Sequence, residues 1–299
     1  MQVEEGHRCG TIVLLGRPNV GKSTLLNHLI GQKISITAPR PQTTRDQILG
    51  ILTLPGGQLL FLDTPGVHQG HRRLNRHILR ATRGALDGAD VGVLVVEAPL
   101  WLPGDAEALR WLLQREMPLV LVVNKVDRVR DKKRLLPYLQ ELGQRASFAS
   151  VLPLSARRPQ DVAQLAQVLL PLLPEGPARF PPDEVTDRQM RFVAAEAVRE
   201  QIFRQLSAEL PYDTAVAIER YRVEESGRHE IEATIYCRRP GQKAILLGDG
   251  GLRLKRIGMR ARESIEQQTG SRVWLGLWVK EREDWDRHPG LLHELGYGE

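Results

Sequence analysis

Gly16 to Ser23, GRPNVGKS, is a stretch whose residue types and spacing can hold a phosphate. Gly16 and Gly21 let the backbone curl until successive N–H groups face one anion, and the positive end of a following helix adds to that field. Arg17, Pro18, Asn19 and Val20 form the body of the loop. Lys22 reaches the outer phosphates, and the hydroxyl of Ser23, followed by Thr24, ligates magnesium. Glycine-bearing turns also match so short a pattern, so the flanking elements decide. Thr11 to Leu15 reads as a short buried strand leading in, and Leu25, Leu26, Leu29 and Ile30 carry helical spacing away.

Further polar clusters stand where such a loop needs them. Lys33 to Gln47 is polar and without clear periodicity, and contains Gln42, Thr43, Thr44, Arg45 and Asp46. In a nucleotide hydrolase this is the mobile loop that gives magnesium a threonine hydroxyl once the terminal phosphate is bound. Thr44 is the first choice and Thr43 the second. Ile48 to Leu54 and Leu59 to Leu62 read as strands joined by the turn Pro55, Gly56, Gly57, an antiparallel hairpin at a sheet edge. The second strand ends in Asp63, Thr64, Pro65, Gly66. There the carboxylate can hold a magnesium-bound water, and the Gly66 N–H can sense the terminal phosphate. Val67 to Arg83 is basic and suits a second switch segment, with His68 and His71 as exposed loop residues. Val67 occupies the position after Gly66, so no catalytic glutamine orients the water there. Backbone, a partner or a monovalent cation near Asn19 must do so, and intrinsic turnover is expected to be slow.

Val91 to Val96 and Leu119 to Val123 are continuous apolar runs, as in parallel strands covered on both faces. The second delivers Asn124, Lys125, Val126 and Asp127 to its C-terminal end, where open α/β sheets place their ligands. The Asp127 carboxylate can accept from both N1–H and the 2-amino group of guanine, a donor pair that adenine lacks. Val151 to Leu154 ends in Ser155, Ala156 and Arg157, whose backbone can meet the guanine carbonyl oxygen. In this order the segments resemble the translation-factor-like GTPases. The resemblance implies an α/β P-loop GTPase domain with a mixed, mostly parallel sheet over residues 1–173, using Mg2+ and turning GTP into GDP.

Pro174 to Pro182, PEGPARFPP, reads as a semi-rigid linker, extending to residue 186. From Asp187 a helix is expected, with Ala194, Val198, Ile202, Leu206 and Leu210 on one stripe. Two strands follow, Ala215 to Tyr221 and an alternating one through Cys237. Lys243 lies in the short segment before Gly248, Asp249, Gly250 and Gly251, and a helix then carries Arg253, Lys255, Arg256 and Arg260. Val273 to Val279 alternates as a last strand. A GxxG turn in an α-β-β-α-α-β order resembles a KH domain of the prokaryotic topology, here an α+β domain over residues 187–299. In that module the turn clamps about four nucleotides of single-stranded nucleic acid, usually RNA.

Charge agrees with this placement. The net charge of +6 divides into +8 for residues 1–180 and −2 for residues 181–299, yet residues 238–262 hold eight bases against one acid, Asp249. A hydrophobic share of 41% suits a globular chain, and no apolar run reaches the roughly 18 residues of a membrane span. Met1 to Gly10 has no signal-peptide core, so a cytoplasmic location is expected. Cys9 and Cys237 read as free thiols, Cys237 packing in the core.

GRPNVGKSTLLN, QTTRD, DTPGVH, NKVD, TDRQMRF with ELPYD, GQKAILLGDGGLRLKRIG and LWVKEREDW together resemble the bacterial ribosome-assembly GTPases that carry a KH domain. The resemblance implies binding to the 3′ region of 16S rRNA during maturation of the 30S subunit, with guanine nucleotide setting bound and released states. It also makes Asn19 the counterpart of an asparagine that supports K+-stimulated hydrolysis. Two residues depart from the family: Asp249 puts an acid in the RNA-facing turn, and Glu97 replaces an aspartate, a change expected to have no consequence. Two other readings stay open at this point: an RNA-binding chaperone indifferent to nucleotide, and a GTPase acting on another RNA or on a membrane-associated complex. Peripheral membrane contact has no support in a lipidation signal or a long amphipathic basic helix.

Overall fold

The computed structural model describes residues 6–38, 40, 43–45, 47–65, 82–207, 209–283 and 285. It divides into two compact units, Met1–Thr37 with Thr44–Asp187, and Ala38–Thr43 with Arg188–Glu299.

In the first unit, strand β1 (Arg8–Leu15) runs into helix α1 (Lys22–Ile30), with the glycine loop between them. Strands β2 (Ile48–Leu54) and β3 (Gly57–Asp63) form the expected hairpin. Its turn is tighter than the three residues foreseen, because Gly57 already pairs with Leu54 and only Pro55 and Gly56 remain to reverse the chain. Strand β4 (Val91–Glu97), helix α2 (Pro103–Leu113), strand β5 (Leu119–Asn124), helix α3 (Leu135–Gly143), strand β6 (Ser150–Pro153) and helix α4 (Pro159–Leu169) complete the order.

The sheet runs β2-β3-β1-β4-β5-β6, with β2 antiparallel and every other pairing parallel. Val13, Leu15, Leu94, Val96, Leu121 and Val123 face one core with Ala108 and Leu112 of α2 and Leu142 of α3. Their neighbours Ile12, Leu14, Val93, Val95, Val120 and Val122 are equally buried on the other face. Burial on both faces is what makes these strands read as unbroken apolar runs. The parallel arrangement also brings the ends of β1, β3, β4, β5 and β6 to one edge, which is where the polar motifs emerge.

The proline-rich stretch after α4 lies against this unit. Cys9 N donates to Pro174 O, Gly176 N donates to His7 O, and Gln58 Oε1 accepts from Arg179 N and Phe180 N. Phe180 packs on Cys9, Ile51 and Leu60.

In the second unit, helix α5 (Met190–Gln205) precedes strands β7 (Thr214–Val223) and β8 (His229–Cys237), helices α6 (Pro240–Leu247) and α7 (Leu252–Thr269), and strand β9 (Val273–Glu281). The order is the expected α-β-β-α-α-β. Helix α5 starts three residues later than the sequence suggested, since Gln189 is still extended, and Leu206 is extended again at its far end. Leu206 and Leu210 nonetheless join the core of Ala194, Val198, Ile235 and Ile257. β8 pairs antiparallel with β7 and parallel with β9, and α5 and α7 cover one face. Both cysteines are buried and free, and burial pushes the Cys237 thiol up, which keeps it protonated and inert. Among the described residues no helix is long and apolar enough to cross a membrane.

Candidate functional site

The glycine loop is held open by its own geometry. A side chain at Gly21, whose φ is 107°, would put Cβ 2.3 Å from Asn124 Nδ2, and one at Gly16 would meet Val95 O at 2.2 Å. Only glycine allows the loop to lie this close to β4 and β5. Among the described residues Asn19, with φ 64°, and Lys125, with φ 62°, are the positive-φ non-glycine residues, and both lie at this edge. Lys22 is buried, and its Nζ donates to Gly16 O at 2.9 Å and Arg17 O at 3.1 Å. Desolvation pulls its pKa down to about 8, against the pull of Asp63, so an anion in the loop would relieve a buried charge.

Ser23, Thr44 and Asp63 converge. Ser23 Oγ lies 3.0 Å from Thr44 Oγ1 and donates to Asp63 Oδ2 at 2.6 Å. Ser35 Oγ donates to the same oxygen at 2.9 Å, while Asp63 Oδ1 is buried with no partner among the described residues. Burial raises the Asp63 pKa, and a cation at this carboxylate would favour its ionised form. Two hydroxyls and a half-satisfied carboxylate form an all-oxygen set that fits Mg2+, which keeps waters between itself and such groups. Thr43 Oγ1 instead donates to Arg40 O, which separates the first and second choices for the loop threonine. Arg45 is buried, Thr64 Oγ1 bonds Leu14 O at 2.8 Å, and Pro65 is buried beside it. Gln42, Asp46, Gly66, Val67, His68, His71 and the second switch segment up to residue 81 lie outside the described residues.

Asn124 ties three loops together. Its Nδ2 donates to Val20 O, and its Oδ1 accepts from Lys125 N and Ala156 N. Ser155 N is fixed by Asp161 Oδ2 at the start of α4, and Arg157 is exposed. Asp127 is exposed, and a hydrogen bond from the Ser155 side chain holds its carboxyl below the usual carboxylate range. Asp127 therefore stays an ionised double acceptor at neutral pH, poised for a donor pair.

Glu97, at the end of β4, joins the two loops. Its Oε2 accepts from Lys125 Nζ at 2.8 Å and from Arg17 Nη2 at 3.4 Å, and Lys125 Nζ also donates to Asn19 O at 2.6 Å. Arg17 Nε bonds Asp105 Oδ2 of α2 at 3.1 Å. One carboxylate thus braces the phosphate loop and the base-recognition loop against each other. The sequence pattern marked neither Ser35 nor Asp105. Asn27, inside the quoted motif, had no role assigned, yet its Oδ1 accepts from Ile34 N and Ser35 N and so sets Ser35 toward Asp63.

In the second unit Gly248, Gly250 and Gly251 have φ of 70°, 53° and 78°, and the turn exposes Asp249 and Gly250. Lys255 and Arg256 are exposed on the first turns of α7, whereas Arg253 Nη1 bonds Ile245 O and secures the end of α6. Lys243 is half-buried near Cys237. Gln242 Oε1 accepts from Arg238 N and Arg239 N, fixing the start of α6.

A glycine loop between strand and helix, an oxygen cluster that fits Mg2+ and an ionised carboxylate on one sheet edge, with a glycine turn between two helices further on, have the form of a P-loop GTPase joined to a KH domain. A family model described as a 50S ribosome-binding GTPase matches residues 11–125, and a KH domain model matches residues 209–286. A protein named GTPase Era from Stenotrophomonas maltophilia is 49% identical over 99% of this chain and 100% of its own length. Another from Xanthomonas oryzae pv. oryzae is 50% identical over 97% of each. A crystal structure of Era in complex with MgGDPNP and nucleotides 1506–1542 of 16S ribosomal RNA superposes with a TM-score of 0.92 and 35% identity, covering 98% of this chain and all of that one. The chain belongs to the Era family of GTPases.

Proposed function

We propose that this GTPase binds the 3′ region of 16S rRNA through its KH domain during assembly of the 30S subunit in the cytoplasm, and that guanine nucleotide controls the binding. The domain limits 1–173, 174–186 and 187–299 and the site residues named above are part of this reading. The related Era structure with Mg2+, a GTP analogue and 16S rRNA supports it.

One observation carries the control. Residues 38–43 belong to the KH-containing unit, where Arg40 Nε donates to Phe203 O at 3.0 Å in the last turn of α5. The next residue, Thr44, stands at Ser23 in the magnesium cluster. A threonine that is drawn to Mg2+ when the terminal phosphate is present, and released when it is lost, pulls on a segment rooted in the other unit. Nucleotide state and RNA affinity are coupled through a few peptide bonds.

Fluorescence anisotropy with a 3′-terminal 16S rRNA fragment tests this in GTP analogue and in GDP. Binding is expected to be about tenfold tighter with the analogue, within the usual range of coupling between sites, and Arg40→Ala is expected to shrink that ratio toward one. Equal affinity in both nucleotides with the unaltered chain overturns the control.

Mg2+ would be held by Ser23 and Thr44 with Asp63 through water, supplying charge neutralisation at the phosphates. For the attacking water we assign a K+ ion at Asn19, a residue in the left-handed region of a loop whose downstream motif has Val67 where a glutamine would stand. Intrinsic turnover is slow, and hydrolysis measured in KCl should be several-fold faster than in NaCl at equal ionic strength. Identical rates would remove the ion from the scheme.

A further inference from the structure

A stripe of exposed residues leads away from the glycine turn. Leu252, Lys255, Met259 and Arg262 recur at helical spacing along α7 and are all exposed, Leu252 at 61% and Met259 at 47%. The stripe ends in an open groove of about 620 Å³ lined by Arg228, Arg262, Arg272 and Trp274. The groove sits at the far end of α7, a helix of 18 residues, or about 27 Å from the turn.

Its charges are arranged for an anion. Glu266, the acid of the groove, accepts from Val273 N at 3.1 Å and faces Arg262 Nε at 3.9 Å. Arg228 shares Glu224 at 2.8 Å, and the exposed Arg272 has no ion-pair partner among the described residues. Trp274 is 43% exposed. In the sheet register it stands beside Glu230, which has Arg222 on its other side. An exposed tryptophan and three arginines lining one groove are the combination that single-stranded nucleic acid uses, bases on the ring and phosphates on the cations.

We propose that RNA gripped at Gly248–Gly251 continues along this stripe and enters the groove, where an unpaired base stacks on Trp274 and phosphates meet Arg228, Arg262 and Arg272. This second hold rests on the RNA reading above and extends it. It also answers the acid in the turn: Asp249 weakens the grip at one end of α7, and the cations at the other end restore it.

The test uses the full chain with nested fragments of the 3′ end of 16S rRNA, one of about four nucleotides, the clamp length, and one of about twelve. Affinity of the unaltered protein should rise with length, and Trp274→Ala should weaken the long fragment about tenfold, the scale of one lost stacked base, while leaving the short one within a factor of about two. Arg272→Glu should do the same and flatten the salt dependence for the long fragment. GTP hydrolysis without RNA should be unchanged in both variants, and their retained binding of the short fragment reports that the KH domain folds. Affinity that stops rising beyond the clamp length, or variants that alter neither fragment or both equally, overturns this inference and leaves the KH assignment standing. Failure of the unaltered protein to bind even the long fragment overturns the RNA reading and this extension together.

Discussion

Asp127→Asn is expected to weaken GTP binding on the order of a thousandfold and to raise affinity for xanthosine triphosphate. In the proposed site Asp127 would offer an ionised carboxylate, kept so by Ser155, to two guanine donors. Hydrogen bonds to a charged group contribute about 1.5–3 kcal/mol each, and an amide can accept only one of the two while turning its own N–H toward the other. Loss of both charge-assisted bonds therefore spans roughly 10² to 10⁴ in affinity. Xanthine carries a carbonyl where guanine has the 2-amino group, so the asparagine amide can donate to it and accept from N1–H. Asp127 is exposed, and Asn124 and Glu97 secure its loop independently of its bond to Ser155, so the variant should fold and melt like the parent. Competition between the two nucleotides for a fluorescent analogue reads the switch directly. Unchanged GTP affinity would show that another group reads the base.

Gly250→Asp should abolish RNA binding, by at least about a hundredfold at low salt, and leave GTP hydrolysis without RNA within a factor of about two. A Cβ at Gly250 or at Gly251 meets nothing within 4 Å, so no clash distorts the turn. The φ of 53° at Gly250 lies in the left-handed region, where aspartate is among the better tolerated residues. Beside the modest backbone strain of a side chain at positive φ, the main change is the charge: a second carboxylate beside Asp249 faces the phosphates, and like charges brought together across an interface cost several kcal/mol. Gly251→Asp should behave alike. Anisotropy for RNA and phosphate release for GTP separate the two activities. Parallel loss of both would mean that the turn supports the nucleotide site as well as the RNA.

What could be read in the sequence follows from where the chemistry is local. Phosphate is held by successive backbone N–H groups, so Gly16, Gly21, Lys22 and Ser23 must be near neighbours in the chain and betray themselves by spacing. Asp63 and Asp127 are legible because each ends an apolar strand, and the parallel sheet carries strand ends to one edge. Glu97 and Asp105 work through contacts across the fold, with Arg17 and Lys125, and nothing in their own neighbourhood marks them. Ser35 lay in a polar stretch without periodicity, where no pattern separates one hydroxyl from another. A count of basic residues located the charged stretch around α7, but it could not tell that Arg253 is consumed by Ile245 O while Lys255 and Arg256 face solvent.

Residues 38–43 have a consequence for how such a protein can be taken apart or put together. A modular protein built by fusing genes end to end keeps each module's parts on its own side of the seam. Here Ala38, Arg40 and Thr43, encoded inside the nucleotide-binding half, are structurally the property of the other half. Cutting after Asp187 frees a fragment whose loop has lost Phe203 as its anchor, so kinetics measured on that fragment describe an enzyme that the intact chain does not contain. Exchange of KH domains between relatives meets the same seam: a transplanted domain inherits a helix end shaped for someone else's Arg40, and the loop and the domain must change together to stay in register.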